Sequence, residues 1–204
     1  MFSPKYLIRN HFIVMKKRNL IAIAGAAVLL VACIPSVYPF YTDKDVVTDQ
    51  GLVGEWREKD NTNNPEMWKF EQSTNNAYKL TVEEHGKTGE FSAHLFKLKQ
   101  EQFLDLIPSK CEFATNQADL VNFSVFAGHL IARMPQVEPN LKLAFCDFEW
   151  LQKYLEKNPS ALAHHVEDNS IVLTADTRDL QKFVLKHLGT NELFKEYGEM
   201  VRGK

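Results

Sequence analysis

The chain reads as mainly β, a small antiparallel β-barrel or strongly curved sheet with two helices in its C-terminal half. Three observations predict this. From Gly51 onward, short segments of alternating polarity recur at intervals of about ten to fifteen residues, with turn-forming clusters between them, which is the rhythm of an antiparallel sheet. Two stretches after residue 148 replace that rhythm with apolar residues at helical spacing. The apolar faces of at least seven strands need a common interior, and closing the sheet also removes the edges at which strands aggregate.

Leu52, Gly54 and Trp56 share one face of the first strand, with Glu55 and Arg57 on the other. Trp68 and Phe70 repeat the pattern after a polar loop over 61–65, and Tyr78, Leu80 and Val82 continue it after 73–76. Phe91, Ala93 and Leu95 follow a break at 85–89. Residues 102–107 form a denser apolar strand ended by Pro108, and 125–134 and 141–148 give two more, separated by a turn over 135–140.

The first helix covers 149–157, with Trp150, Leu151, Tyr154 and Leu155 on one side, and stops at Asn158-Pro159, where proline disfavours continuation. A hairpin follows, its arms 161–166 and 170–174 flanking Glu167-Asp168-Asn169. The second helix has Asp176 as N-cap and Asp179 in its first turn. Its buried stripe is Leu180, Phe183, Val184 and Leu188, Lys186 and His187 suit the C-terminal dipole, and Gly189 is the C′ residue. Residues 191–204 are expected to add a short terminal helix. About 150 residues after position 51 fit a single barrel-like domain, 51–204.

At Leu52-Val53-Gly54-Glu55-Trp56 the chain resembles the opening strand of lipocalin-like (calycin) barrels, whose G-x-W motif sets a tryptophan at the closed end of the barrel. The resemblance implies a buried Trp56 and an arginine beside it, a place that Arg178 is expected to fill. The T-D-Y signature of that family does not occur after the middle strands. The stretches FSAHLFKL, FLDLIP and LTADTRDLQKFVLKHL are similar to segments of uncharacterised bacterial proteins, and that likeness carries no activity with it.

The N-terminus carries an address. Residues 15–33, MKKRNLIAIAGAAVLLVAC, resemble a bacterial lipoprotein signal: Lys16, Lys17 and Arg18 precede a thirteen-residue apolar core, and Leu30, Val31, Ala32 and Cys33 form a lipobox. Such a core spans about 20 Å as a helix, short of a bilayer's roughly 30 Å of hydrocarbon. The expectation is that residues 1–32 are removed as signal peptide, with Met15 the true start, and that Cys33 becomes the lipidated N-terminus. Residues 33–50, with Pro35 and Pro39 and no regular period, read as a lipidated tether, their Tyr38, Phe40 and Tyr41 resting at the membrane interface or on the body. Bacterial lipoproteins kept in the inner membrane often carry an aspartate after the cysteine. Ile34 stands there, which implies the outer membrane, facing the periplasm.

Residues 1–32 hold five Lys or Arg and no acid, so a chain with 24 basic and 26 acidic residues leaves a 172-residue mature form with 19 and 26, net −7. That charge disfavours nucleic acid, and it leaves membrane attachment to acyl chains rather than to the folded surface. An extracytoplasmic compartment permits Cys111 and Cys146 to form a disulfide across 34 intervening residues; the alternative is two buried thiols. His164, His165, Glu167 and Asp168 are the densest set of metal-ligand types, but adjacent strand residues point to opposite faces, so a solvated hairpin is the better reading. His94 and His129 sit in apolar strands and could meet across a sheet as hydrogen-bonded structural residues. Glu83-Glu84 and Glu167-Asp168 read as exposed acids. No nucleophile elbow, P-loop or dinucleotide glycine run is present. No catalytic residue, metal or cofactor is therefore expected. The first functional reading is a lipid-anchored cell-envelope protein holding an apolar or amphipathic small molecule in its barrel. The alternative is a structural or protein-interaction envelope lipoprotein with a filled barrel, and the third is an unrecognised enzyme.

Overall fold

The computed structural model describes residues 34–61, 65–109, 127–167 and 170–203. Seven strands follow one another around a barrel: β1 (Gly54–Glu58), β2 (Met67–Gln72), β3 (Tyr78–Glu84), β4 (Lys87–Leu98), β5 (Glu101–Pro108), β6 (Leu130–Gln136) and β7 (Leu141–Phe145). The chain then leaves the barrel to form α1 (Phe148–Lys157), the hairpin β8 (His164–Glu167) and β9 (Ser170–Leu173), and α2 (Thr177–His187). It returns as β10 (Gly198–Arg202), which enters antiparallel between β7 and β1 and closes the eight-stranded barrel.

Local chemistry sets the turns and caps. Glu84 pairs with Lys87 across a two-residue turn, in which His85 and Gly86 both have positive φ (49° and 73°), the twist a tight hairpin requires. Asp147 caps α1 by accepting from the Trp150 amide at 2.7 Å, and Asp176 caps α2 through the Asp179 amide at 2.9 Å. The second cap stands where the sequence placed it. The end of α2 does not: the helix runs into a 3-10 turn, Leu188–Thr190, and the left-handed residue is Asn191 (φ 54°) rather than Gly189.

Alternation along the strands builds two cores. Inside the barrel lie Leu52, Trp56, Phe70, Leu80, Leu95, Leu104, Met134 and Leu141, with Met200 of β10 completing the ring. Outside β4–β7, Phe96, Phe103, Ile131 and Ala144 face a second core formed with Leu151, Leu155, Ile171, Leu173, Leu180, Phe183 and Phe194. Those strands are therefore apolar on both faces, which is why residues 103–106 are buried without a break. The outer wall of β1–β3 is polar instead, with ion pairs such as Lys69–Glu71 (3.1 Å) and Lys79–Glu90 (2.7 Å). A charged outer wall is that of a barrel standing in water, since a lipid-facing wall would be apolar.

Two expectations need correction. Residues 198–202 are the closing strand, not part of a terminal helix; the strand shows one buried residue, Met200, so no alternation marks it in the sequence. Residues 34–50 lie along the body as a strap, with Ile34, Ser36 and Phe40 no more than 3% exposed. Backbone pairs replace a regular period there: Ser36 exchanges N–H···O bonds with His129 (2.8 and 2.9 Å), the Val47 amide donates to Leu95 O, and the Lys97 amide donates to Asp45 O (both 2.9 Å).

Candidate functional site

The barrel interior was the expected ligand site, and the side chains that face it are buried. Its core residues are 0–8% exposed, and Ala93, Leu95, Leu104, Ala132 and Met134 have no exposure at all, which leaves no ligand-sized space among them. A barrel of eight strands is just wide enough for side chains to fill in this way. One apolar gap of about 10 Å³, room for a single water at most, lies in the outer core between Ile34, Phe40, Leu151 and Phe183.

One end of the barrel is shut by Trp56. Its indole N–H donates to Leu52 O at 2.9 Å, and the guanidinium of Arg202 lies over its ring at 4.1 Å. Arg202 Nη1 donates to Val53 O at 2.7 Å, while Nη2 donates to Gly51 O and to Glu138 Oε1. Gly54, between these partners, has φ +123°, and a Cβ there would meet Arg202 Nη1 at 2.7 Å. The arginine beside Trp56 is thus Arg202, from the closing strand, and not the expected Arg178. Arg178 instead sits exposed at the start of α2, paired with Asp176 and Asp179.

The most concentrated buried polar chemistry lies on the opposite side of the wall, under the strap. Asp105 points outward from β5 and is fully buried. Its Oδ2 accepts from the Phe40 amide at 2.9 Å and its Oδ1 lies 2.7 Å from His129 Nδ1. His94 is its cross-strand partner on β4 and stacks on Tyr41 at 4.5 Å. His94 and His129 thus come together, as the sequence suggested, through a carboxylate on the strand between them. Sequence reasoning passed over that carboxylate, although an acid inside the run Phe103-Leu104-Asp105-Leu106 was a signal that a partner had to exist.

The electrostatics follow from burial. Desolvation, then the charges of Asp105 and Asp43, push the Tyr41 hydroxyl up to about 12. Desolvation holds His94 below its ordinary imidazole value; His129 adds to this and Asp105 opposes it, and its Nδ1 is buried without a hydrogen-bond partner. An Asp–His pair is also the arrangement that orients an imidazole as a base. Here Oδ1 meets the His129 ring while Oδ2 holds the backbone of the strap at Phe40. From the other side, α2 grips the same strap: Thr177 Oγ1 donates to Pro39 O (2.8 Å), and Gln181 Nε2 donates to Phe40 O (3.0 Å) and Asp45 Oδ2 (2.8 Å). Residue 40 is clamped between barrel and helix, so the cluster acts as a latch.

The remaining candidates are more scattered. His164 Nδ1 lies 2.8 Å from Leu162 O, while His165 faces Glu167 at 3.6 Å on the exposed arm of the hairpin. Among the described residues no cluster of histidine, cysteine, aspartate or glutamate is arranged to hold a metal ion. Cys146 is buried in the outer core, whereas Cys33 and Cys111, on which the lipidation and disulfide readings rest, lie outside the described residues. Among the described residues no helix is long and apolar enough to cross a membrane. Comparison with protein families, curated proteins and solved structures gives no match.

Proposed function

We propose that this is a lipid-anchored cell-envelope protein whose barrel is a solid scaffold and whose work is done by its outer surface, through contact with other envelope components. The packed interior carries this reading, because a barrel that stores a small molecule needs several hundred cubic ångströms of space, and residues such as Leu95, Leu104 and Ala132 are fully covered by their neighbours. The lipoprotein-like signal before Ile34 supports the anchor. Acyl chains at Cys33 would hold the body in the envelope, in the outer membrane facing the periplasm on the reading of Ile34, without any nucleic acid, metal or cofactor.

A small-to-large substitution tests the scaffold reading. Ala132 and Ala93 face the barrel interior with no exposure. In a filled barrel Ala132→Leu has nowhere to place its added atoms, and it is expected to cost about 1–3 kcal/mol in urea unfolding. Unchanged or increased stability means that the interior holds spare volume, and the ligand-binding reading then takes over.

A further inference from the structure

The strap does more than cover the wall: it extends the hairpin. Val37 N–H donates to Leu173 O and Leu173 N–H donates to Pro35 O, both at 2.9 Å, and Ser36 bridges Leu173 in parallel. A short parallel bridge thus lays the strap along β9 of the two-stranded β8–β9 sheet. Its inner face buries Ile34, Ser36, Ile171 and Leu173, all at 3% exposure or less. Its outer face presents Pro35, Val37 and Val172, and Tyr38 follows directly. Val37 and Tyr38 are 38% and 48% exposed, whereas Val166 of β8, 53% exposed, pairs with Ile171 and so lies on the other face. Val37 and Tyr38 are two of the four large hydrophobic side chains that stand in solvent among the described residues, and they are adjacent on the strap.

The position of the chain end says what covers it. Cys33 is one peptide unit, about 3.8 Å between Cα atoms, ahead of Ile34, and Ile34 is already packed in the outer core. No slack separates the body from an acyl group on that cysteine. Because the strap runs parallel to β9, its N-terminal end lies toward the Ser170 end of that strand, at the hairpin turn. Given the anchoring reading above, we propose that the outer face of this sheet, with Tyr38, rests on the lipid surface that holds the acyl chains of Cys33. Tyrosine and small apolar residues suit the headgroup layer. That face carries no lysine or arginine, and Glu167 lies 3.6 Å from His165, so it fits zwitterionic rather than anionic lipid.

The test uses full-length acylated protein in zwitterionic phosphatidylcholine vesicles carrying a headgroup nitroxide quencher. Tyr38→Trp places an indole on the proposed face. Lys69→Trp places one on the polar wall of β2, and the parent supplies the background of Trp56, Trp68 and Trp150. The added emission of Tyr38→Trp is expected to be quenched severalfold more than that of Lys69→Trp, and the excess should vanish in Cys33→Ala protein. Equal quenching of the two overturns the assignment and leaves the face to a second copy or another envelope protein. The intact mass of the same sample separates the two readings. An unmodified Cys33 overturns the anchoring itself, whereas an acylated Cys33 with unquenched Tyr38→Trp overturns only the face.

Discussion

Trp56 and Arg202 lie 146 positions apart in sequence and form one structural unit. The indole is fully buried and the guanidinium binds backbone carbonyls of the segment that leads into β1, so each side chain fixes the other. Trp56→Ala is expected to lose about 3–5 kcal/mol through lost burial and a cavity, and Arg202→Ala about 1–2 kcal/mol through the stacking and hydrogen bonds. Chemical denaturation measures both, and a Trp56→Ala protein within about half a kcal/mol of the parent would remove tryptophan from the core. Asp105 gives a second residue-scale outcome. Asp105→Ala leaves the Phe40 amide and His129 Nδ1 facing no acceptor, at a cost of about 2–4 kcal/mol, and should speed hydrogen exchange of the strap amides ahead of the barrel's. Equal acceleration in both would mean that the cluster is not a latch. His187 gives a pH dependence. It is 7% exposed among Trp150, Tyr154 and Phe183, its Nε2 has no partner, and desolvation, with Lys186 adding and Glu192 opposing, holds it below the ordinary 6.5. A lowered value means that the unfolded chain binds the proton more readily. The stability His187 contributes is complete above pH 6.5 and is lost as pH falls through the folded-state value. The melting temperature should therefore fall between pH 7 and 5, and less steeply in His187→Phe. Identical slopes would contradict this.

At the scale of elements, β1–β7, both helices and the β8–β9 hairpin were legible from alternation, a dense apolar run, helical spacing, a cap or a turn cluster. Trp68 and Phe70, for example, alternate with charged neighbours that face water, and Asp176 stands where an N-cap should. What escaped was structure whose partners are far along the chain. β10 shows a single buried residue, and its strand identity comes from β1 and β7, between which it fits. The strap has no period because side chains of β5 and α2, Asp105 and Gln181, supply part of its hydrogen bonding. Of the candidate site, the two histidines were visible in apolar strands; the carboxylate that joins them was not singled out, because residues 103–106 are buried on both faces and show no alternation. The closing role of β10 makes an element-scale prediction. Removing residues 198–204 opens the barrel and takes Arg202 from Trp56, so cooperative unfolding should be lost and tryptophan emission should shift to the red. A truncated protein that unfolds cooperatively within about 1 kcal/mol of the parent would show that closure is not required.

For the whole molecule, two cores share one wall: the barrel interior, and a layer of helices and hairpin laid on β4–β7. That layer carries the strap, and through the strap the position where an acyl anchor would enter. The opposite wall, β1–β3, keeps ion-paired charges in water. The molecule is therefore polar on the β1–β3 wall and carries exposed apolar side chains, Val37 and Tyr38, on the strap. On the proposed function the barrel is solid. Diffraction from xenon-pressurised crystals of the protein extracted from its own membrane tests this most directly, because apolar voids take up xenon or keep their natural occupant. Only side-chain density is expected to fill the space between Trp56, Leu95, Leu104 and Met134. A xenon site there, or continuous density for an acyl chain, would contradict it.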